Sequence, residues 1–227
     1  VLLQNERFEK IYSSLIQELE KHKIHIVNEK QLNQEQNEVV RSFFIAELRS
    51  RLMPFLIEQE SEMPNLTDDA IYLAIILRKK RSGEKRYALM EIPTTILPRF
   101  IVLPEINEEK YIIFIDDIIR FGLKDIFFIF DFDEISAFTI KLTKDAELEI
   151  ADDILESYIE KLSKSLHQRK LGNPVRFIYD RKMPDDLLKL LKNKLNFGPD
   201  DVVIPADRYH NFKDFMKFPY LCKKKFY

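Results

Sequence analysis

The chain has 227 residues, 45% of them hydrophobic and 33% charged, enough to bury a sizeable core in one compact domain or one domain with an appended element. Its formal net charge of −2 gives no reason to expect binding to nucleic acid or acidic membranes by the molecule as a whole, although local basic patches stay open. One cysteine, Cys222, excludes an internal disulfide and fits a reducing compartment; no apolar run approaches the about 18 residues of a membrane span, and no signal peptide is visible.

Residues 1–22 read as an amphipathic helix, with Leu3, Phe8, Ile11, Leu15 and Leu19 on one stripe. His22 and His25 follow around a short extended run, and without a third ligand nearby they read as surface histidines rather than a metal site. Asn33 with Gln36 has the form of a capping box for a second helix, whose stripe is Val39, Val40, Phe43, Phe44, Leu48 and Leu52 and which Pro54 ends. After a polar linker through Pro64 and Asn65, residues 70–77 and 86–92 read as a hairpin turning at Ser82 and Gly83. Its basic tip reads as solvated charge, with a phosphate contact as the alternative. Pro93, Pro98 and Pro104 punctuate the next segment, where 99–103 and 111–115 suggest strands. Residues 116–121 look like a short helix stopped by Gly122, and 126–130 like one more strand.

The most organised stretch runs from 135 to 179. Phe138, Ile140 and Leu142 alternate with Thr139, Lys141 and Thr143, the period-2 pattern of a half-buried strand. A helix follows, its apolar positions Ile150, Ile154, Tyr158, Leu162 and Leu166 recurring every fourth residue, with acids in its first turn and bases in its last. Gly172 and Pro174 close it before a second strand at 175–179, so that strand, helix and strand would form a right-handed parallel unit if both strands share a sheet. Further on, Met183 to Asp186 open a helix with Leu187, Leu188, Leu191 and Leu195 inward, residues 201–204 suggest a last strand, and 208–216 a short helix. Helices and strands mix irregularly, so the expected class is α+β, with N-terminal helices followed by a mixed-sheet domain with packed helices.

Few residues carry recognisable chemistry. The four glycines are not clustered, which removes the phosphate-binding loop and the dinucleotide fingerprint, and there is no Gly-x-Ser-x-Gly elbow. Paired acids such as Asp68–Asp69, Asp116–Asp117 and Asp185–Asp186 fall mostly where helices begin, and read as caps. Asp131 and Asp133 read as a polar turn. The densest polar set on an aromatic background is Arg208, Tyr209, His210, Asn211, Phe212 and Lys213. Arg208, His210 and Lys213 could meet a phosphate, or the segment could dock Tyr209, Phe212 and Phe215 on the core with its charges in water; both readings stand.

Several of these segments together resemble the middle, or head, domain of the long, histidine-phosphorylated polyphosphate kinases. They are IKLTKDA at 140–146, NPVRF at 173–177, the Met183–Pro184 helix start and RYHNFKDF at 208–215. ERF at 6–8, IVNE at 26–29, RYALMEIP at 86–93 and LPRF at 97–100 fit as well, so the resemblance covers nearly the whole chain in order. Two departures stand out: Lys144 where that pattern has Arg, and Ala206–Asp207 in place of a more glycine-rich entry.

The resemblance implies a parent enzyme that reversibly transfers the terminal phosphate of ATP to polyphosphate, with Mg²⁺, through a phosphohistidine. It implies that the phosphorylated histidine lies in later domains; neither His167 nor His210 matches it, so no catalytic residue and no metal ligand is expected here. Residues 1–25 would be the junction with an N-terminal helical domain, 26–219 the middle domain and 220–227 the start of a linker to the catalytic domains. The chain would then be a piece of something longer, structural in role, self-associating through the head domain and inactive alone. ATP and polyphosphate would be partners only of the parent, which would be cytoplasmic or peripheral at the inner face of the membrane. Arg208, His210, Lys213 and Lys144 are the candidates for a phosphate-facing or interdomain surface. The alternatives are an independent phosphate- or polyanion-binding module and a self-sufficient phosphotransferase using His210.

Overall fold

A computed structural model describes residues 2–58, 60, 62–144, 174–198, 201–209 and 212–221. The expected helix between 145 and 173, with Leu162 and His167 on it, and also His210, lie outside the described residues. Within them, mixed sheets and packed helices make an α+β fold, as the irregular mixing of patterns led us to expect.

Helix α1 spans Leu2–Lys21 and leads into strand β1, Ile24–Val27. Helix α2, Gln34–Phe43, starts on the expected capping box: the Gln36 N–H donates to Asn33 Oδ1 at 2.8 Å and the Asn33 N–H to Gln36 Oε1 at 3.2 Å. It runs on as a π-helical turn, Phe44–Leu48, and a 3₁₀ turn, Arg49–Arg51. The widened turn has a reason in the sequence. Val40, Phe44, Leu48 and Leu52 recur at strict intervals of four, and a regular α-helix would carry each about 40° further round than the last. Mixing a wide turn into the helix brings all four inward, and all four are buried.

Two sheets follow. The larger has the order β2 (Phe55–Ile57), β4 (Lys85–Glu91), β3 (Ile71–Arg78), β7 (Glu134–Lys144), β8 (Pro174–Asp180) and β9 (Val202–Ala206). The smaller has the order β1, β6 (Glu109–Phe114) and β5 (Phe100–Ile106). The hairpin of β3 and β4 turns at Gly83, which takes φ +70° and so meets a backbone requirement that other residues rarely satisfy. Its basic tip is neutralised by neighbours: Arg78 and Lys80 pair with Glu134, and Lys85 with Asp186.

Four expectations are corrected. Strands β7 and β8 do share a sheet, but they pair antiparallel, so they are not a parallel unit. The parallel pair is β8 with β9, joined by helix α4, Asp185–Lys194; period-2 alternation reports the buried face of a strand and says nothing about its direction. The polar linker contains β2, three residues that add an edge to β4. Helix α3, Ile115–Ile126, passes straight through Gly122 instead of stopping there. The run 126–130 ends that helix and makes a 3₁₀ turn, Phe128–Phe130, stopped by Asp131 in the left-handed region; an unbroken apolar run carries no period to separate strand from helix.

The core is layered. Ile71, Leu73, Ile75 and Leu77 of β3 face α2, α3 and the inner side of the smaller sheet, while Tyr72, Ala74 and Ile76 face Leu187 and Leu191 of α4. The outer side of the smaller sheet, Phe100, Ile112 and Phe114, is covered by Tyr209, Phe215, Phe218 and Leu221. Gly122 is where the first layer closes: a Cβ built on it would overlap the ring of the fully buried Phe44. Gly122→Ala should therefore destabilise the protein by about 1–3 kcal/mol through overpacking, outweighing the roughly 1 kcal/mol that alanine contributes in a helix. Urea denaturation checks this, and Phe44→Leu in the same background should recover part of the loss.

Candidate functional site

Strand β6 passes directly into α3, which places Asp116 and Asp117 in the first turn of that helix, where free N–H groups and the helix dipole favour negative charge. Their place in the helix is the one the sequence suggests, but neither has any exposed surface, so they are more than surface caps. Each is met by guanidinium groups. Arg99, buried just before β5, grips Asp116 through two bonds, Nε to Oδ2 at 3.0 Å and Nη2 to Oδ1 at 2.9 Å. Its remaining nitrogen, Nη1, donates to Asp214 Oδ2 at 2.6 Å.

Asp117 holds the other half of the network. Arg120, one turn along the same helix, donates to Asp117 Oδ1 at 3.0 Å and to the Thr139 hydroxyl on β7 at 2.6 Å. Arg120 Nε has no acceptor among the described residues. Arg208 donates to Asp117 Oδ1 through Nε at 3.1 Å and through Nη2, which also reaches Glu29. The Tyr209 hydroxyl donates to Asp117 Oδ2 at 2.6 Å. Burial pushes the Asp117 carboxyl up, against the pull of Arg120, Arg208 and Tyr209. Burial and the nearby Asp117 also push the Tyr209 and Tyr12 hydroxyls up, so both stay protonated.

Aromatic rings cover the inner part of this network. Tyr209 stacks on Phe114 at 4.2 Å between centroids, and Phe215 meets Phe100 edge-on at 5.1 Å. Tyr12 of α1 packs edge-on against Phe215 at 5.8 Å. Arg181 ties α1 to the same region through Glu9 and Asp207. Residues 207–209 and 212–221 thus lie as a strap over the smaller sheet, with a 3₁₀ turn at Phe212–Lys217.

The candidates read from the sequence separate into two places. Arg208 points into the buried network. Lys213 and Lys144 lie instead around the Asp68–Asp69 turn: Lys213 and Lys141 pair with Asp69, while the Lys144 backbone N–H donates to Asp68 Oδ1 at 2.8 Å and its ammonium to Asn65. Burial lowers the Lys144 ammonium, opposed by Asp68. Of the histidines, His22 is exposed, and His25 stacks on Tyr111 with Nε2 at 2.9 Å from Glu109 Oε2. Among the described residues no three His, Cys, Asp or Glu side chains gather to hold a metal ion. The acids Asp116 and Asp117 are already taken by guanidinium groups, so they do not fit Mg²⁺. The sequence reading missed Arg99, Asp116, Arg120 and Asp214 as a network; LPRF gave Arg99 between proline and phenylalanine, an apolar setting that was the one available signal.

The fold and site together define an α+β domain whose two sheets and terminal strap are held by buried ion pairs. The model of the polyphosphate kinase middle domain matches residues 35–218, and the chain belongs to that family. It is 42% identical over 219 residues to a polyphosphate kinase of Vibrio vulnificus (strain YJ016), covering 95% of this chain and 31% of that protein. It is 39% identical over 227 residues to a polyphosphate kinase of Escherichia coli (strain K12), covering 98% of this chain and 33% of that protein. The crystal structure of polyphosphate kinase from Porphyromonas gingivalis superposes with a TM-score of 0.77 at 26% identity, over 97% of this chain and 31% of that one. The chain thus spans about a third of the length of the relatives it matches. Among the described residues no helix is long and apolar enough to cross a membrane.

The surface pairs make stability sensitive to acid. The hydrogen bond from Lys85 holds the Asp186 carboxyl below its ordinary value. Asp69 is also lowered: partial burial acts upward, but hydrogen bonds from Lys141 and Lys213 outweigh it. A lowered folded-state value means stability that is present above the unfolded value of about 3.9 and lost as pH falls through the folded one. The urea midpoint should drop as pH goes below about 4, and a Asp69→Asn, Asp186→Asn double variant should lose less over that range. Equal acid sensitivity in both proteins would contradict it.

Proposed function

We propose that this chain is the middle domain of a polyphosphate kinase, in which it sets how subunits and neighbouring domains meet, and that it does not carry the phosphoryl transfer. The whole enzyme would move the terminal phosphate of ATP onto polyphosphate and back, with Mg²⁺ and a phosphohistidine in its other domains. A cytoplasmic location, or one at the inner face of the membrane, goes with that substrate. The observation that carries this reading is the use of Arg208: its guanidinium is committed to Asp117 and Glu29, fixing the strap on the domain. A fixed strap sets the direction in which adjoining chain leaves the domain.

Arg208→Ala tests it in the full-length enzyme. Loss of a charged donor to a buried carboxylate should lower stability by about 1–3 kcal/mol. At a temperature where circular dichroism shows the variant folded, subunit association and polyphosphate synthesis should both fall, and Arg208→Lys should restore them in part. Unchanged association and synthesis in Arg208→Ala would reduce the segment to packing alone.

A second reading, a polyanion-binding face, is favoured by the convergence of Lys141, Lys144 and Lys213 on one turn. It predicts that Lys213→Ala with Lys141→Ala weakens retention of polyphosphate by the chain and flattens its salt dependence, the signature of ionic contacts. Retention equal to that of the unsubstituted protein at every salt concentration would overturn it.

A further inference from the structure

A cleft of about 340 Å³ opens on the same face of the larger sheet as α4, among β2, β3 and β4. Met53, Phe55, Leu66, Leu89, Pro93 and Ile96 give it apolar walls. At its polar end is Glu91, the last residue of β4, directly across from Tyr72 on β3. One oxygen of that carboxylate is held: Oε2 accepts from the Tyr72 hydroxyl at 2.8 Å and from the Thr67 hydroxyl at 3.2 Å. The tyrosine is itself oriented, since its oxygen accepts the Thr67 backbone N–H at 2.8 Å and its proton is thereby turned to Glu91. Burial pushes Tyr72 up to about 12, so it remains a donor throughout the neutral range.

The other oxygen, Oε1, has no donor among the described residues, and Glu91 has no cationic partner there. Arg51 also lines the cleft but does not neutralise it, because its guanidinium is paired with Glu47. What remains is an apolar slot with one fixed, uncompensated negative charge. Two side chains on its rim, Met53 at 84% and Ile96 at 69% exposure, lengthen the apolar surface outward.

We propose that this cleft binds an organic cation: an ammonium or guanidinium group carried on an apolar body. The cationic head donates to Glu91 Oε1 while the body lies between Phe55, Leu89 and the rim residues. The volume suits a ligand of one ring or a short alkyl chain, at the small end of the range for ligand pockets. Tyr72 and Thr67 act as positioning residues, because they hold the carboxylate in place before the ligand arrives. Nothing in this assignment depends on the transfer of phosphate.

The test is calorimetric titration of the full-length protein with benzylamine, which is cationic at neutral pH, and with benzyl alcohol, its neutral counterpart of nearly equal size. Benzylamine should bind, and benzyl alcohol should bind at least roughly tenfold more weakly, the usual worth of a charged hydrogen bond. Glu91→Gln, which keeps the shape and still accepts from Tyr72, should cost benzylamine a similar factor and leave benzyl alcohol unaffected. Tyr72→Phe should weaken benzylamine severalfold by freeing the carboxylate. Equal binding of the two probes by the unsubstituted protein would overturn the proposal, as would no saturation with benzylamine at about 10 mM or benzylamine binding unchanged in a folded Glu91→Gln variant. The comparison of two probes on one protein decides the matter even if a variant fails to fold.

Discussion

Asp116 and Asp117 lie side by side in the first turn of α3 with no exposed surface, so every charge they carry must be met by protein. Taking an ion out of water costs several kcal/mol, and only close, well-aligned partners offset it. Those partners come from three parts of the chain: Arg99 from just before β5, Arg120 from α3 itself, and Arg208 with Tyr209 from the strap. Glu29 and Asp214 then accept from the outer nitrogens of Arg208 and Arg99. An arrangement that misplaces any one of these segments leaves a buried charge unpaired. The network is thus better understood as a constraint on how the segments assemble than as a sum of favourable contacts.

How much of this could be read from the sequence depended on whether the signal was local. The capping box at Asn33 and Gln36, the hairpin at Gly83 and the stop of α1 near Lys21 are each written within a few residues, and each lies where the pattern put it. The identity of sheet neighbours is not local. Residues 137–143 show a buried face, but nothing in them states that β3 lies on one side and an antiparallel β8 on the other. Gly122 fails for a related reason: glycine serves helix ends and close approaches alike, and only the position of Phe44, far away in sequence, decides between them.

The site shows the same division. RYHNFKDF marked a segment of mixed charge and aromatic character, and the sequence left open whether its cations faced outward or its rings faced inward. The geometry answers for each residue separately. Tyr209 and Phe215 do pack on the smaller sheet, yet Arg208 goes inward beside Tyr209, while Lys213 reaches the Asp68–Asp69 turn on the surface. Paired acids misled because Asp-Asp before a helix fits a solvated cap equally well. Burial, which distinguishes the two, depends on the strap laid over them by residues about ninety positions later.

Exposure along the network is graded, and the grading separates folding from function. Arg99 and Asp116 are almost wholly enclosed, so losing either strands the other and disturbs the entire fold. The Arg208 side chain is 31% exposed, and that of Lys213, outside the network on the Asp68–Asp69 turn, is 56% exposed. Water shares the cost of altering these outer residues, more so the further out they lie. Substitutions at the inner end report on whether the domain folds. Substitutions at the outer end cost less stability, so an effect on any other property can be measured there with the domain still folded.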